Sequence, residues 1–241
     1  DEQQMAFSRR FGDLETTVKL YRKDYVPRLS PHVSDVSNLD QNSNIREKND
    51  RLRLNGLGNR LWHSDSSFKR IPARFSLLSA RVIPSEGGET QFADMRAAWD
   101  ALPNRMKARL EGLICEHTQL FSRAKIAFTD WSEEERAKMA PVPQVLVRTH
   151  PGSHRKSLFL SSHAGRIRGM EEPEARMLLM DLMEHATQRE FVYTHRWTTG
   201  DLVMWDNRCT MHRAREYDDT QVRDMHRTTV SDGVPTVVEA A

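Results

Sequence analysis

Short runs in which apolar and polar residues alternate recur along the chain, each closed by Gly, Pro, Asn, Asp or Ser: TTVKLY, HVSDVSN, LWHSDSSF, RFSLLSARVI, ICEHTQLFS, QVLVRTH, SLFLSS, EFVYTHRW, DLVMWDN and VRDMHRTTV. Such period-two runs read as strands that send successive side chains to opposite faces. Helical spacing is confined to the opening residues up to Gly12, to MRAAWDALPNRMKARLEGL with a break at Pro103, to SEEERAKM, and to EPEARMLLMDLMEHATQ. In the last of these Leu179, Leu182, Met183 and Ala186 fall at i, i+3, i+4 and i+7. With no βαβ alternation and no internal repeat, the predicted fold is mainly β with inserted helices, an antiparallel sandwich or jelly roll.

The 241 residues suit one catalytic domain over 1–241. At 38% hydrophobic and 29% charged, with no run near the roughly 18 apolar residues of a spanning helix, the composition argues against a membrane protein. Lys+Arg 36 against Asp+Glu 34 leaves a net charge of +2, so no global field points to nucleic acid, and any anion preference must come from locally placed arginines. Cys115 and Cys209 form no Cys-x-x-Cys pair, which excludes a disulfide framework and a thiolate zinc site and fits the cytoplasm. The start, DEQQMAFSRR, has no initiator Met and no signal-peptide pattern, so the chain is expected to lack a natural N-terminal segment. Residues 41–60 are polar and rich in Asn and Gly, the composition of a mobile lid loop. Oligomeric state is left open, a homo-oligomer included.

His63-Ser64-Asp65 could place an imidazole and a carboxylate side by side on a strand, as two metal ligands or as a plain polar strand end. His212, after DLVMWDN, is either a histidine in a turn or the second imidazole of a two-His, one-carboxylate set. In VRDMHRTTV, period two puts Arg223 and Arg227 on one face, about 13 Å apart at about 3.3 Å per residue. That spacing suits two anions on either side of a metal, and each arginine could grip a carboxylate with both prongs. The alternative is an edge strand with solvated charges.

The segments LWHSDSSF, SEGGETQFADMRAAWDALP, LVRTHP, KSLFLSSHAG, EHATQREFVY and DLVMWDNRCTMHRAREYD, with 24 residues between Asp65 and Thr90, 121 between Thr90 and His212, and ten between His212 and Arg223, resemble the iron(II)/2-oxoglutarate-dependent dioxygenases of the taurine and 2,4-dichlorophenoxyacetate family, in its phenoxyalkanoate branch. The resemblance implies a double-stranded β-helix, a cupin-like jelly-roll barrel, with Fe(II) held by His63, Asp65 and His212. It implies 2-oxoglutarate as co-substrate, its far carboxylate on Arg223 and Thr90, O2 as oxidant and ascorbate as an activator in vitro. Arg227 takes the position that holds the substrate's acidic group, and Asn59, His150 and His163 match or neighbour substrate-side positions. Trp205 and Asn207 fall near the iron-binding turn, where packing and hydrogen bonding are expected.

The implied reaction hydroxylates the carbon between the carboxylate and the ether oxygen of a phenoxyalkanoate. The product falls apart to a phenol and glyoxylate or pyruvate, with succinate and carbon dioxide from the co-substrate. Three other readings compete: the same chemistry on a sulfonate or alkyl sulfate such as taurine, a non-catalytic jelly roll that senses a small acid, and a zinc hydrolase. The last needs a general base and has no use for an arginine just beyond the final ligand.

Overall fold

The computed structural model describes residues 1–16 and 27–238, so the strand expected over TTVKLY falls, beyond Thr16, outside the described residues. The strands are β1 (Ser34–Asp35), β2 (Ala73–Val82), β3 (Thr90–Asp94), β4 (Ile114–His117), β5 (Val142–Val145), β6 (Val147–Thr149), β7 (Lys156–Leu158), β8 (Ala164–Ile167), β9 (Val192–His195), β10 (Leu202–Asp206), β11 (Thr210–Ala214) and β12 (Asp224–Ser231). One sheet has the order β1-β12-β2-β10 and a second β11-β3-β9; every pair is antiparallel. Their inner faces meet: Leu78 and Ala80 of β2, Phe92 of β3, Trp205 of β10 and Met225 of β12 pack together, with the Phe92 and Trp205 rings 5.3 Å apart. This is the expected jelly roll, two sheets closed over a shared core. Smaller sheets β5-β4-β8 and β6-β7 extend it.

The helices α1 (Glu2–Ser8), α2 (Arg51–Gly56), α3 (Met95–Asp100), α4 (Asn104–Leu110), α5 (Gln119–Ala124), α6 (Glu133–Lys138) and α7 (Glu172–Ala186) are inserted between strands. Their ends follow the sequence signals. Asp94 caps α3 by accepting from Arg96 N and Ala97 N, the chain breaks at Pro103 before α4, and Ser132 with Glu135 forms a capping box on α6. α7 buries Ala175, Leu178, Leu179, Leu182 and Ala186, the stripe its periodicity predicts, and leaves Met177 and Met180 exposed. No helix among the described residues is long and apolar enough to cross a membrane.

Three stretches depart from the sequence reading. LWHSDSSF is not a strand: His63 makes an isolated bridge to His212, and a turn then begins at Asp65, with Ser66 in the left-handed region at φ 51°. ICEHTQLFS is a strand only to His117, after which the Thr118 hydroxyl accepts from Leu120 N and starts α5. The 41–60 stretch is not loop throughout. Asp50 caps α2 by accepting from Arg53 N at 2.9 Å, and Leu57–Arg60 continues as a 3-10 turn. A six-residue helix has little stability of its own. Here Arg51 pairs with Asp130 and Glu135, and Arg53 pairs with Asp219, tying it to the rest of the fold.

Candidate metal and anion site

The two sheets bring the three sequence-distant donors together through backbone pairing. His63 N donates to His212 O at 3.0 Å, and His212 N donates back to His63 O at 2.8 Å. His212 lies mid-way along β11, opposite Phe92 of β3. Asp65 is set by Asn207, whose Oδ1 accepts from Asp65 N at 3.1 Å. The result is a buried cluster in which one ligand atom from each of His63, Asp65 and His212 lies within 4.8 Å of the others. His63 Nε2 is 3.9 Å from Asp65 Oδ1, and His212 Nε2 is 3.6 Å from Asp65 Oδ2.

The electrostatics suit a divalent cation. His63 Nδ1 sits 2.7 Å from the Leu61 carbonyl, an acceptor only, so Nδ1 carries the hydrogen and Nε2 offers its lone pair. Burial pushes both imidazole pKa values down, that of His212 far below its ordinary value, so both are neutral ligands. Burial alone would raise the Asp65 carboxyl, but the Arg227 guanidinium, the largest opposing influence, with the hydrogen bond from the Ser76 hydroxyl, holds it down at about 2. Two neutral imidazoles and one carboxylate are the facial set that leaves positions open on non-haem iron. The buried His212 Nδ1 has no hydrogen-bond partner.

Behind Asp65 lies a polar network that sequence reasoning found only in part. Ser76 Oγ donates to Asp65 Oδ2 at 2.7 Å and accepts from Asn207 Nδ2 at 2.9 Å. Trp205 Nε1 donates to Asn207 Oδ1 at 3.1 Å, and the Trp205 ring packs 4.6 Å from His212. Trp205 and Asn207 thus do the packing and hydrogen bonding expected of them. Ser76 was missed, although period two in RFSLLSARVI puts it on one face with Leu78 and Ala80.

Two adjoining cavities share Asp35, Val36, Leu52, Asn55 and Asn59 as wall; neither is lined by His63, Asp65 or His212, but the smaller is bordered by Ser66 and by Arg227, which contacts Asp65, and the larger by Ala214, two residues beyond His212. The smaller, about 170 Å³, is lined by Arg227, Thr229, Phe68, Lys69 and Trp131. Arg227 Nη1 reaches Asp65 Oδ1 at 2.5 Å. The larger, about 230 Å³, is lined by Arg223, Tyr217, Ala214, Leu57 and Arg123. Arg223 is 5% exposed; its guanidinium donates only to the Val36 and Gly88 carbonyls, at 3.3 and 3.4 Å, and its Nε is unpartnered. Gly88 beside it has φ +73°, a conformation that favours glycine.

Thr90 is buried beside this end of the sheet, paired with Ala214, and its hydroxyl accepts from Trp197 Nε1 at 3.0 Å. Asn59 borders both cavities. His163 is buried with its ring 6.1 Å from that of His63 and 4.9 Å from Phe68. His150 stands apart from these residues and lines neither cavity; its Nε2 meets Asp206 Oδ2 at 3.0 Å. His150, Asp206 and Cys209 also bring donor atoms within 4.8 Å, but Arg208 already grips Asp206 at 2.6 Å and neutralises its charge, so the cluster reads as an ion pair.

The sequence model described as "Taurine catabolism dioxygenase TauD, TfdA family" matches residues 1–229. The chain belongs to this family. It is similar to the alpha-ketoglutarate-dependent 2,4-dichlorophenoxyacetate dioxygenase of Cupriavidus pinatubonensis (strain JMP 134 / LMG 1197), at 49% identity over 96% of this chain and 80% of that one. It is also similar to the (S)-phenoxypropionate/alpha-ketoglutarate-dioxygenase of Sphingobium herbicidovorans, at 38% identity over 95% of this chain and 78% of that one. Among solved structures, AAD-2 in complex with Mn(II) and N-oxalylglycine superposes with a TM-score of 0.94 at 56% identity, covering 98% of this chain and 82% of that one. The jelly roll agrees with that membership, and His63, Asp65 and His212 form a buried group that could hold a metal ion.

Proposed function

We propose that this family member is an Fe(II)- and 2-oxoglutarate-dependent dioxygenase that hydroxylates phenoxyalkanoates at the carbon next to the ether oxygen, releasing a phenol with glyoxylate or pyruvate. The observation that carries this reading is the buried His63, Asp65, His212 cluster together with two adjoining cavities, one lined by Arg227 of β12, which contacts Asp65, and the other by Arg223, just before β12. The names of the most similar relatives support the substrate class. Iron(II), 2-oxoglutarate and O2 together supply the oxidising power, yielding succinate and carbon dioxide.

The chain's own residues bind and orient. Arg223, buried without a carboxylate partner among the described residues, holds the far carboxylate of 2-oxoglutarate, and the Thr90 hydroxyl adds a donor to the same anion. Arg227 presents its guanidinium to the smaller cavity and takes the substrate carboxylate, while Phe68 and Trp131 offer aromatic wall to the phenoxy ring. Asn59 adds to that wall, whereas His163 lines neither cavity and packs its ring against Phe68 behind it. Holding the carboxylate fixes which C–H faces the metal, and positioning of this kind is the protein's main contribution. His150 stays out of this assignment because Asp206 occupies it away from the cavities. With both cysteines free and buried, the reducing cytoplasm is the compartment we propose.

The test is a substrate panel: phenoxyacetates and both enantiomers of phenoxypropionates, with taurine and an alkyl sulfate as competitors, assayed with Fe(II), ascorbate and 2-oxoglutarate. Phenol release that depends on 2-oxoglutarate is expected. Turnover confined to the sulfonate or sulfate would replace the substrate assignment, and absence of any 2-oxoglutarate-dependent oxygen uptake would remove the enzyme reading.

A further inference from the structure

Arg123, on α5, is a second buried cation in the larger cavity. It is 6% exposed, and its hydrogen bonds go to neutral groups: Nε to Asn55 Oδ1 at 2.8 Å and Nη1 to Ser122 Oγ at 3.0 Å. No carboxylate pairs with it among the described residues. Burial without such a partner lowers its pKa to about 10. A guanidinium taken out of water and left uncompensated is costly, so its retention calls for an anion that the chain does not supply.

The surroundings are shaped around this group. A Cβ at Gly58 would stand 2.4 Å from Arg123 Nη1 and 2.5 Å from its Cζ, so only glycine lets the guanidinium lie against the 3-10 turn. Gly58 is not among the glycines with positive φ, which leaves the arginine as the reason for a glycine there. Arg123 lies against the Leu57–Arg60 turn, and that turn packs on β11, the strand that carries His212, so the guanidinium sits on the side of the cavity nearest the candidate metal ligands. Arg223 stands in the same cavity against Gly88 and Tyr217.

We infer that Arg123 is a second anion-recognition residue of the co-substrate cavity, facing the metal-end carboxylate of a 2-oxo dicarboxylate whose far carboxylate rests on Arg223. The inference rests on the function proposed above. Two buried guanidiniums in one cavity complement a dianion with a charge at each end, and neither needs to be drawn from the smaller cavity where Arg227 awaits the aromatic acid. Arg123 touches the co-substrate directly in this assignment, by a charge-assisted hydrogen bond.

The experiment measures binding instead of turnover. Wild type, Arg123→Gln and Arg123→Lys, loaded with Mn(II), are titrated calorimetrically with N-oxalylglycine and then with 2,4-dichlorophenoxyacetate. Arg123→Gln is expected to weaken N-oxalylglycine by about ten- to a hundredfold and to leave the aromatic acid unchanged, while Arg123→Lys regains part of the loss. Unchanged N-oxalylglycine binding overturns the inference, and so does a loss that falls on the aromatic acid alone. If Arg123→Gln does not fold, Gly58→Ala, which must displace the guanidinium, is read in the same way. Failure of wild type to release phenol with 2-oxoglutarate would count against the proposed function; an active wild type with indifferent Arg123 variants counts against this inference only.

Discussion

Arg227 on β12 donates to Asp65 Oδ1 at 2.5 Å, so the cation that lines the smaller cavity also touches the carboxylate of the candidate metal site. Asp65 lies in the turn before β2, and the contact is the strongest of the influences that lower its pKa against burial. The charge of Asp65 and the cationic wall of the smaller cavity therefore depend on one side chain.

Arg227→Ala removes a charge-assisted contact worth about 1.5 to 3 kcal/mol, which lowers affinity for the aromatic acid by roughly ten- to a hundredfold. Because the substrate is then held loosely, the ratio of phenol formed to succinate formed also drops. Arg227→Lys restores only part of both, since a point charge lacks the planar fork. An unchanged ratio together with unchanged affinity would leave Arg227 with its Asp65 contact alone.

His63→Ala, Asp65→Ala and His212→Ala are each expected to abolish turnover and tight iron binding while the circular dichroism spectrum stays native, because the proposed site draws one donor from each of these three residues. Wild-type iron content in any one variant would remove that residue from the site.

Ser76→Ala breaks the hydroxyl bridge between Asp65 and Asn207. Metal affinity should fall by about ten- to a hundredfold, as it does when groups that orient a ligand are lost, with little effect on aromatic-acid affinity measured at saturating metal. Mn(II) titration of the two proteins decides it.

Arg223→Ala is expected to raise the 2-oxoglutarate requirement steeply and to leave the apparent affinity for the aromatic acid nearly unchanged. Equal effects on both would mean that the two cavities do not divide the anions as proposed.

His117 stacks on Phe159 with both ring nitrogens unpartnered, and burial, then Lys125, holds its pKa at about 3. An unfolded histidine titrates near about 6.5, so between these values the unfolded chain binds a proton that the folded one refuses. Stability is full above pH 6.5 and falls as pH drops toward 3, by up to about 1.4 kcal/mol per pH unit from this group. His117→Phe should flatten that fall in acid denaturation curves; an identical slope would show that His117 finds a proton-accepting partner in the fold.

The strand alternation made the jelly roll legible, and α7 and the Pro103 break followed from spacing and caps that act locally. The meeting of His63, Asp65 and His212 was legible from the family spacing, although the strand expected around His63 is a turn: nothing local announces that Ser66 adopts φ 51°. The helix at 51–56 was hidden because distant acids, Asp130, Glu135 and Asp219, hold it, and six residues of helical propensity cannot declare it. Arg123 carried no signal at all. Its significance lies in what the fold withholds from it, a carboxylate, and no reading of neighbours in sequence can show a missing partner.

The reciprocal hydrogen bonds between the backbones of His63 and His212 make the metal site a clasp on the barrel. An ion gripped by both side chains binds only while these two backbone segments lie edge to edge, so occupancy is linked to the free energy of opening that seam. Iron depletion should thus register as faster hydrogen exchange at the amides of residues 63 and 212, and as easier proteolysis beside them, before it unsettles the rest of the molecule.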